Sequence, residues 1–299
     1  MTAVPSHLSP QTAELLTLSD HARIQRIRSP RWIGYPQAKE ILAKLEDLLT
    51  YPKSHRMPNL LIVGDTNNGK TMLVERFHSL HPASDEPNGV AVSVPVLVVQ
   101  APPVPDEGRF YNAILELLFA PYKPADRVDK KQFQVIKILK QVGLKMLIID
   151  EVHHILAGNL NRQKGFLNVI KYLGNELEIP VVGVGTRDAY RAIQTDPQLS
   201  NRFEPAVLPR WELDELFLRL LMSFERMLPI KEASNLHEMT LATRLMSLSE
   251  GYIGELSQLL SAAAVHAIQN GREKIDGKIL DEIRWTSPSQ RKHKLDKVN

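Results

Sequence analysis

A chain of 299 residues is long enough to bury a sizeable core, as one large domain or as one domain with a small appendage. With 43% hydrophobic and 24% charged residues it fits the globular class rather than a disordered or fibrous one, and the absence of cysteine excludes disulfides, thiolate metal sites and cysteine nucleophiles. The net charge of +3 excludes a generally basic surface, since Arg291, Lys292, Lys294 and Lys297 near the chain end, against one acid, Asp296, carry the excess.

Met1 to about Asp20 is polar with two prolines and reads as a loose arm or a partner-binding segment. Arg23 to Tyr35 is basic and holds Trp32. Ala38, Ile41, Leu42, Leu45, Leu48 and Leu49 recur at helical spacing and predict a helix over 37–50, ended by Pro52. The apolar run 59–64 predicts a strand buried on both faces, followed at once by a helix over 71–80. A second strand is expected over 95–100 and a helix over 108–119 with Phe110, Ile114, Leu117 and Leu118 inward. Residues 123–131 are charged, and helical periodicity resumes over 133–142. The third strand, 146–149, closes on Asp150 and Glu151. A helix over 166–177, a fourth strand over 180–185 and a short fifth over 205–208 complete an alternation that implies a parallel sheet covered on both faces.

After Trp211 the strand signals stop. Segments 212–227, 236–249, 253–270 and 277–285 all read as helices, punctuated by Pro229, Gly251 and Gly271. The expected organisation is an arm over 1–22, an α/β domain over 23–211, a helical domain over 212–286 and a basic tail over 287–299. The tail is read either as a solvated end or as a DNA or partner contact.

Gly64, Asp65, Thr66, Asn67, Asn68, Gly69, Lys70 and Thr71 satisfy the G-x-x-x-x-G-K-[ST] pattern between a predicted strand and a predicted helix. Small residues let backbone N–H groups fold around phosphates, Lys70 reaches the β and γ phosphates, and the Thr71 hydroxyl ligates Mg²⁺. About 80 residues on, Asp150 and Glu151 end a buried strand; Asp150 suits a magnesium shell and Glu151 the polarising of an attacking water. Thr186, at the carboxyl end of the fourth strand, either lies near the γ phosphate or merely caps the next helix. Adjacent His153 and His154 raise a metal site, disfavoured because neighbouring strand residues face opposite sides. Trp32, Trp211 and Trp285 read as packing residues.

At this point the residues resemble the AAA+ ATPases, and within them the TniB family of transposition proteins, with TnsC-type proteins and the phage Mu target-selection ATPase as relatives. The resemblance runs over most of the chain, on Arg31-Trp32-Ile33-Gly34-Tyr35-Pro36, Met57 to Asp65, Met146 to His154, Val184-Gly185-Thr186-Arg187, Asn201-Arg202-Phe203 and Glu250 to Gly254. It implies an AAA+ P-loop α/β fold, a parallel five-stranded sheet flanked by helices with a small C-terminal all-helical lid. It further implies ATP and Mg²⁺ as cofactors, slow ATP hydrolysis stimulated by assembly, DNA or a partner, and a nucleotide at the interface between neighbouring subunits in a ring or filament. Asp150 and Glu151 match the magnesium and water-activating acids, Thr186 the polar sensor and Arg202 the arginine finger, with Arg187 as a rival and a surface ion pair as the plain alternative for Arg202.

The implied partners are double-stranded DNA, a DDE-type transposase and a target-selection protein. No membrane is involved: no apolar run spans a bilayer, residues 1–10 lack a secretion signal, and a bacterial cytoplasmic, nucleoid-associated protein is expected. Lys123, Arg127, Lys130 and Lys131 are the expected DNA contacts, with a solvated loop as the alternative. One departure concerns the lid, where Gly251 to Glu255 offers no arginine to sense the γ phosphate. The competing functions are an AAA+ switch or adaptor acting on proteins, and a nucleotide kinase, which the Asp-Glu pair disfavours.

Overall fold

The computed structural model describes residues 5–85 and 92–296. In the unit Pro36–Pro209, five strands form one sheet: β1 (Asn59–Gly64), β2 (Val96–Gln100), β3 (Met146–Asp150), β4 (Val181–Gly185) and β5 (Phe203–Leu208). Their order is β2-β3-β4-β1-β5, with every pairing parallel. The expected sheet is therefore present. Parallel strands need crossovers, and here the crossovers carry the helices Lys70–Leu80, Glu107–Leu117, Val128–Gln141, Leu160–Leu177 and Arg187–Gln194, while Pro36–Leu49 precedes β1. Covered on both faces, β1 and β4 are buried at every position, which is why, after the hydrogen-bonded Asn59, their sequences are continuously apolar rather than alternating. At the edge, β5 alternates: Phe203, Ala206 and Leu208 are buried while Glu204, Pro205 and Val207 are exposed. An edge strand is where a proline does least harm to a ladder.

Two expectations fail in the connection between β2 and β3. Leu117 is largely exposed rather than inward, because the helix Glu107–Leu117 ends there and the chain turns through Phe119 in the left-handed region at φ 52°. The next helix starts at Val128 rather than 133, so Asp129, Lys130 and Lys131 sit in its first turn instead of in a loop.

The second compact unit joins Met1–Tyr35 to Arg210–Asn299. The expected boundaries at 22/23 and 211/212 thus fall at 35/36 and 209/210, and residues 23–35 leave the α/β domain. The cause is packing. Ile27 on the helix Asp20–Arg28 is buried in one core with Phe217, Leu221, Leu245, Leu256 and Leu260, drawn from the helices Glu215–Glu225, Met239–Ser249 and Ile253–Gln269. Each such side chain contributes roughly 1.5–3 kcal/mol on leaving water.

Arg23 is fully buried in the same unit. Its Nη1 donates to Glu273 Oε1 at 2.8 Å and to Asp20 Oδ1 at 3.0 Å, its Nη2 pairs with Glu273 Oε2, and Nε and Nη2 donate to the Pro229 carbonyl at 3.1 and 2.7 Å. Within the Glu250-to-Gly254 motif, Gly251 takes φ 74°, and a Cβ there would stand 2.4 Å from the Trp211 carbonyl oxygen, so only glycine fits. Trp211 packs edge-on against Tyr35, the packing role expected of it.

The basic tail is a helix, Pro288–Asp296, as far as it is described; Lys297 lies outside the described residues, as do the first four residues of the arm. Arg291 is tied to the Glu255 carboxylate and stacks over Trp285. No helix among the described residues is long and apolar enough to cross a membrane.

Candidate functional site

Every residue of the expected phosphate site in the α/β unit lies at one end of the sheet, where β1, β3 and β4 finish. In a parallel sheet the loops after the strands form a crevice there, and β1 lies where the connections diverge to either side. Within the loop after β1, Asn67 at φ 61° and Gly69 at φ 84° adopt left-handed backbone. Such residues curl a short loop so that successive amides line a concavity suited to anions. The helix Lys70–Leu80 starts at once, adding the positive end of its dipole.

Lys70 is buried, and its ammonium donates to the carbonyls of Gly64 at 2.9 Å and Asp65 at 2.8 Å. Burial pushes its pKa below the usual lysine range, while the charges of Glu151, Asp150 and Asp65 act to raise it. The acids act on Lys70 through their field; its hydrogen bonds go to neutral carbonyls. Asn68 is buried too, and its side-chain amide donates to the Leu208 and Pro209 carbonyls at 2.8 and 2.9 Å, strapping the loop to the end of β5. Arg187, mostly exposed, comes within 3.5 Å of Asp65 in the loop of its own chain.

Asp150 and Glu151 diverge in direction. Asp150 ends β3 and its Oδ2 is 3.5 Å from the Thr71 hydroxyl. Glu151 sits at φ 54°, a left-handed turn that costs a non-glycine residue on the order of 1 kcal/mol. The turn swings its carboxylate off the strand line, while its N–H donates back to Asp150 Oδ1 at 2.8 Å. Burial raises the Asp150 carboxyl above the usual range; the Glu151 N–H opposes this and the Glu151 charge adds to it.

Thr186 stands at the cap position of the helix Arg187–Gln194, yet its side chain makes no capping bond. Its hydroxyl is buried without a hydrogen-bond partner among the described residues. A buried hydroxyl left unmade costs about 1–3 kcal/mol. This orphan, the buried lysine held by carbonyls and the Thr71–Asp150 pair together fit a nucleoside triphosphate and its magnesium ion.

Arg202 is elsewhere. It immediately precedes β5, where Phe203 pairs with Asn59 and Leu208 with Gly64, so it lies at the amino end of the sheet. Five residues of strand, roughly 16 Å, separate that end from the phosphate loop of the same chain. Its Nη1 donates to the neutral Asn175 side chain at 2.8 Å.

The charged segment is less open than its sequence suggests. Lys131 is buried, its ammonium on the Pro124 carbonyl at 2.7 Å, so the expectation that it contacts DNA is corrected: a helix begun at Val128 turns position 131 inward. Arg127 pairs with Asp129 at 2.9 Å and Lys130 with Asp126 at 2.9 Å; Lys123 is exposed. The two histidines after Glu151 lie on a 3-10 turn, Val152–Ala157, and not on a strand. The ground for setting them aside therefore falls.

The family model described as "Bacterial TniB protein" matches residues 23–213. Over 169 residues the chain is 28% identical to the chaperone protein ClpB of Aquifex aeolicus, a match that spans 56% of this chain and 15% of that protein. The chain thus spans less than a fifth of that curated relative. Among solved structures, the Aeropyrum pernix ORC2 protein in ADPNP–ADP complexes superposes with a TM-score of 0.60 at 15% identity, covering 87% of this chain and 71% of that one. The Aeropyrum pernix ORC1 protein in complex with DNA gives 0.57 at 15% identity, covering 87% and 68%. The fold is that of the AAA+ ATPases.

Proposed function

The chain belongs to the TniB family, and from that premise we propose that it is an ATP-hydrolysing regulator of DNA transposition that assembles on target DNA and recruits or activates a DDE-type transposase. Hydrolysis would then set the lifetime of the assembly. The observation that carries the ATPase reading is the convergence, at the carboxyl end of one parallel sheet, of a buried lysine on carbonyls, a threonine–aspartate pair and an orphaned buried hydroxyl.

Lys70 exchanges its carbonyl partners for the β and γ phosphates of ATP, with the loop amides beside it. Thr71 and Asp150 would hold the magnesium ion, which when bound neutralises phosphate charge. The Glu151 carboxylate accepts a proton from the attacking water as its oxygen bonds to the γ phosphorus and the bond to the bridging oxygen of ADP breaks. The Thr186 hydroxyl donates to a γ-phosphate oxygen, gaining the partner it lacks. Arg202 lies too far from its own phosphate loop to serve it, which supports action on the site of a neighbouring copy in a ring or filament, where its charge offsets that of the transferring phosphate.

DNA is held through phosphates by Lys123, Arg127 and Lys130, which suits a protein that accepts many target sequences. The solved ORC1 complex with DNA, of like fold, is consistent with that use. The test is ATP turnover by the full chain with and without duplex DNA, together with mixtures of Arg202→Ala and Glu151→Gln chains. Stimulation by DNA and partial recovery in the mixtures are expected. Turnover indifferent to DNA, with assembly demonstrated, would favour an AAA+ switch acting on proteins, a reading the Asp126 and Asp129 ion pairs support by neutralising two of the three cations.

A further inference from the structure

The 3-10 turn after β3 brings His153 and His154 to one side of the chain, their ring centroids 5.0 Å apart. Glu151, His153 and His154 each offer a donor atom, and the three atoms lie within 4.8 Å of one another. Two details argue that this is more than proximity. First, His153 Nδ1 is buried and makes no hydrogen bond, although Glu151 Oε2 is only 3.1 Å away. With the ring proton on Nε2, the Nδ1 lone pair and the carboxylate oxygen are two acceptors that a cation would bridge; with it on Nδ1, the two form an ion pair. Second, His154 Nδ1 lies 3.3 Å from the Ala101 carbonyl oxygen. A carbonyl can only accept, so the proton sits on Nδ1 and Nε2 keeps a lone pair; a backbone carbonyl behind the ring is the support that metal-ligating histidines use.

We propose that Glu151, His153 and His154 form a binding site for a zinc-like transition-metal ion, and that its occupancy withholds the Glu151 carboxylate from water and suppresses ATP hydrolysis. The second half rests on the proposed role of Glu151; the first does not. Two imidazoles and one carboxylate select zinc over magnesium, which prefers oxygen donors such as Thr71 and Asp150. Three protein ligands leave the fourth tetrahedral position to a water. With no cysteine in the chain, no thiolate site competes.

The experiment uses the full chain without an affinity tag, freed of nucleotide and magnesium, titrated with Co²⁺ as a visible-absorption probe and back-titrated with Zn²⁺. One tetrahedral Co²⁺ per chain, displaced by one Zn²⁺ and untouched by excess Mg²⁺, is expected. His153→Asn and His154→Gln, chosen to hold the turn and checked by circular dichroism, should each weaken binding by about tenfold or more. Glu151→Gln should weaken it with both histidines in place. Stoichiometric Zn²⁺ should then lower wild-type turnover at least about tenfold without loss of ATP affinity, and His153→Asn should resist. The site is overturned if wild-type chain takes up no Co²⁺, or if the variants bind it as tightly as wild type. Full occupancy with undiminished turnover overturns the inhibitory half and, because binding is read optically, leaves the site itself standing.

Discussion

Arg23 and Lys70, buried cations of different units, have been treated in opposite ways. Arg23 in the helical unit is enclosed by charge: Glu273 takes both ends of its guanidinium, Asp20 adds a third contact, and the Pro229 carbonyl fills the rest. The hydrogen bond to Glu273 outweighs the burial, and its pKa is raised. Lys70 in the α/β unit is buried as well, but its contacts are neutral carbonyls and burial wins, lowering its pKa. Arg23, fully compensated, belongs to the fold. Lys70, under-compensated in the loop after β1, awaits a ligand that brings the missing negative charge.

The comparison can be broken most forcefully at Arg23. Arg23→Ala leaves the buried Glu273 carboxylate with Lys231 alone, whose ammonium lies 3.3 Å away, and should cost about 3 kcal/mol in urea unfolding, whereas Arg23→Met with Glu273→Leu, which removes both charges, should recover most of it. At the other cation's side, Glu151→Gln leaves the lysine site intact and should bind ATP as wild type does, while turnover falls about 100-fold or more, roughly 3 kcal/mol at the barrier. Wild-type turnover in that variant would take Glu151 out of the mechanism.

A smaller effect concerns pH. Burial acts to raise the Glu273 carboxyl, but the hydrogen bonds from Arg23 and the Lys231 N–H, with the Arg23 charge, carry it below its ordinary value of 4.5. A folded value beneath the unfolded one means stability that is present above about pH 4.5 and lost as pH falls through the folded value. Acid unfolding of the wild type should steepen below that point and flatten in Glu273→Gln. The smallest effect is at Phe119, 96% exposed in left-handed backbone. Its N–H and that of Ala120 close the end of the helix Glu107–Leu117 on Glu116 and Leu115, a cap that favours glycine. Phe119→Gly should stabilise the protein by about 0.5–1 kcal/mol in thermal unfolding; a loss would mean that the ring has a contact partner.

The difference between the two cations also governs what the sequence makes legible. The lysine site is local in sequence: Gly64 to Thr71 is one contiguous pattern, and Asp150 with Glu151 follows a strand whose apolar run is unmistakable, so both are readable from spacing. The arginine is not. Its partner Glu273 lies 250 residues away, and nothing in Arg23 to Tyr35 distinguishes a basic arm from a buried helix. Lys131 fails for a related reason, since one more turn at the start of its helix reverses which side of position 131 faces solvent. The ground for setting the histidines aside is strand geometry, and the strand ends three residues before His153, at Asp150. The separation of Arg202 from its own phosphate loop follows from strand pairing, which a sequence does not print.

The most direct test of the distinction is the melting temperature of wild-type and Lys70→Met chains, each without and with MgATP. If Lys70 is held for phosphate, the ligand-free variant melts at or above the wild-type temperature. MgATP at about 100 times its Kd then stabilises the wild type by roughly 2.7 kcal/mol and leaves the variant unmoved. A ligand-free Lys70→Met chain destabilised as severely as Arg23→Ala, or one still stabilised by MgATP, would contradict the account.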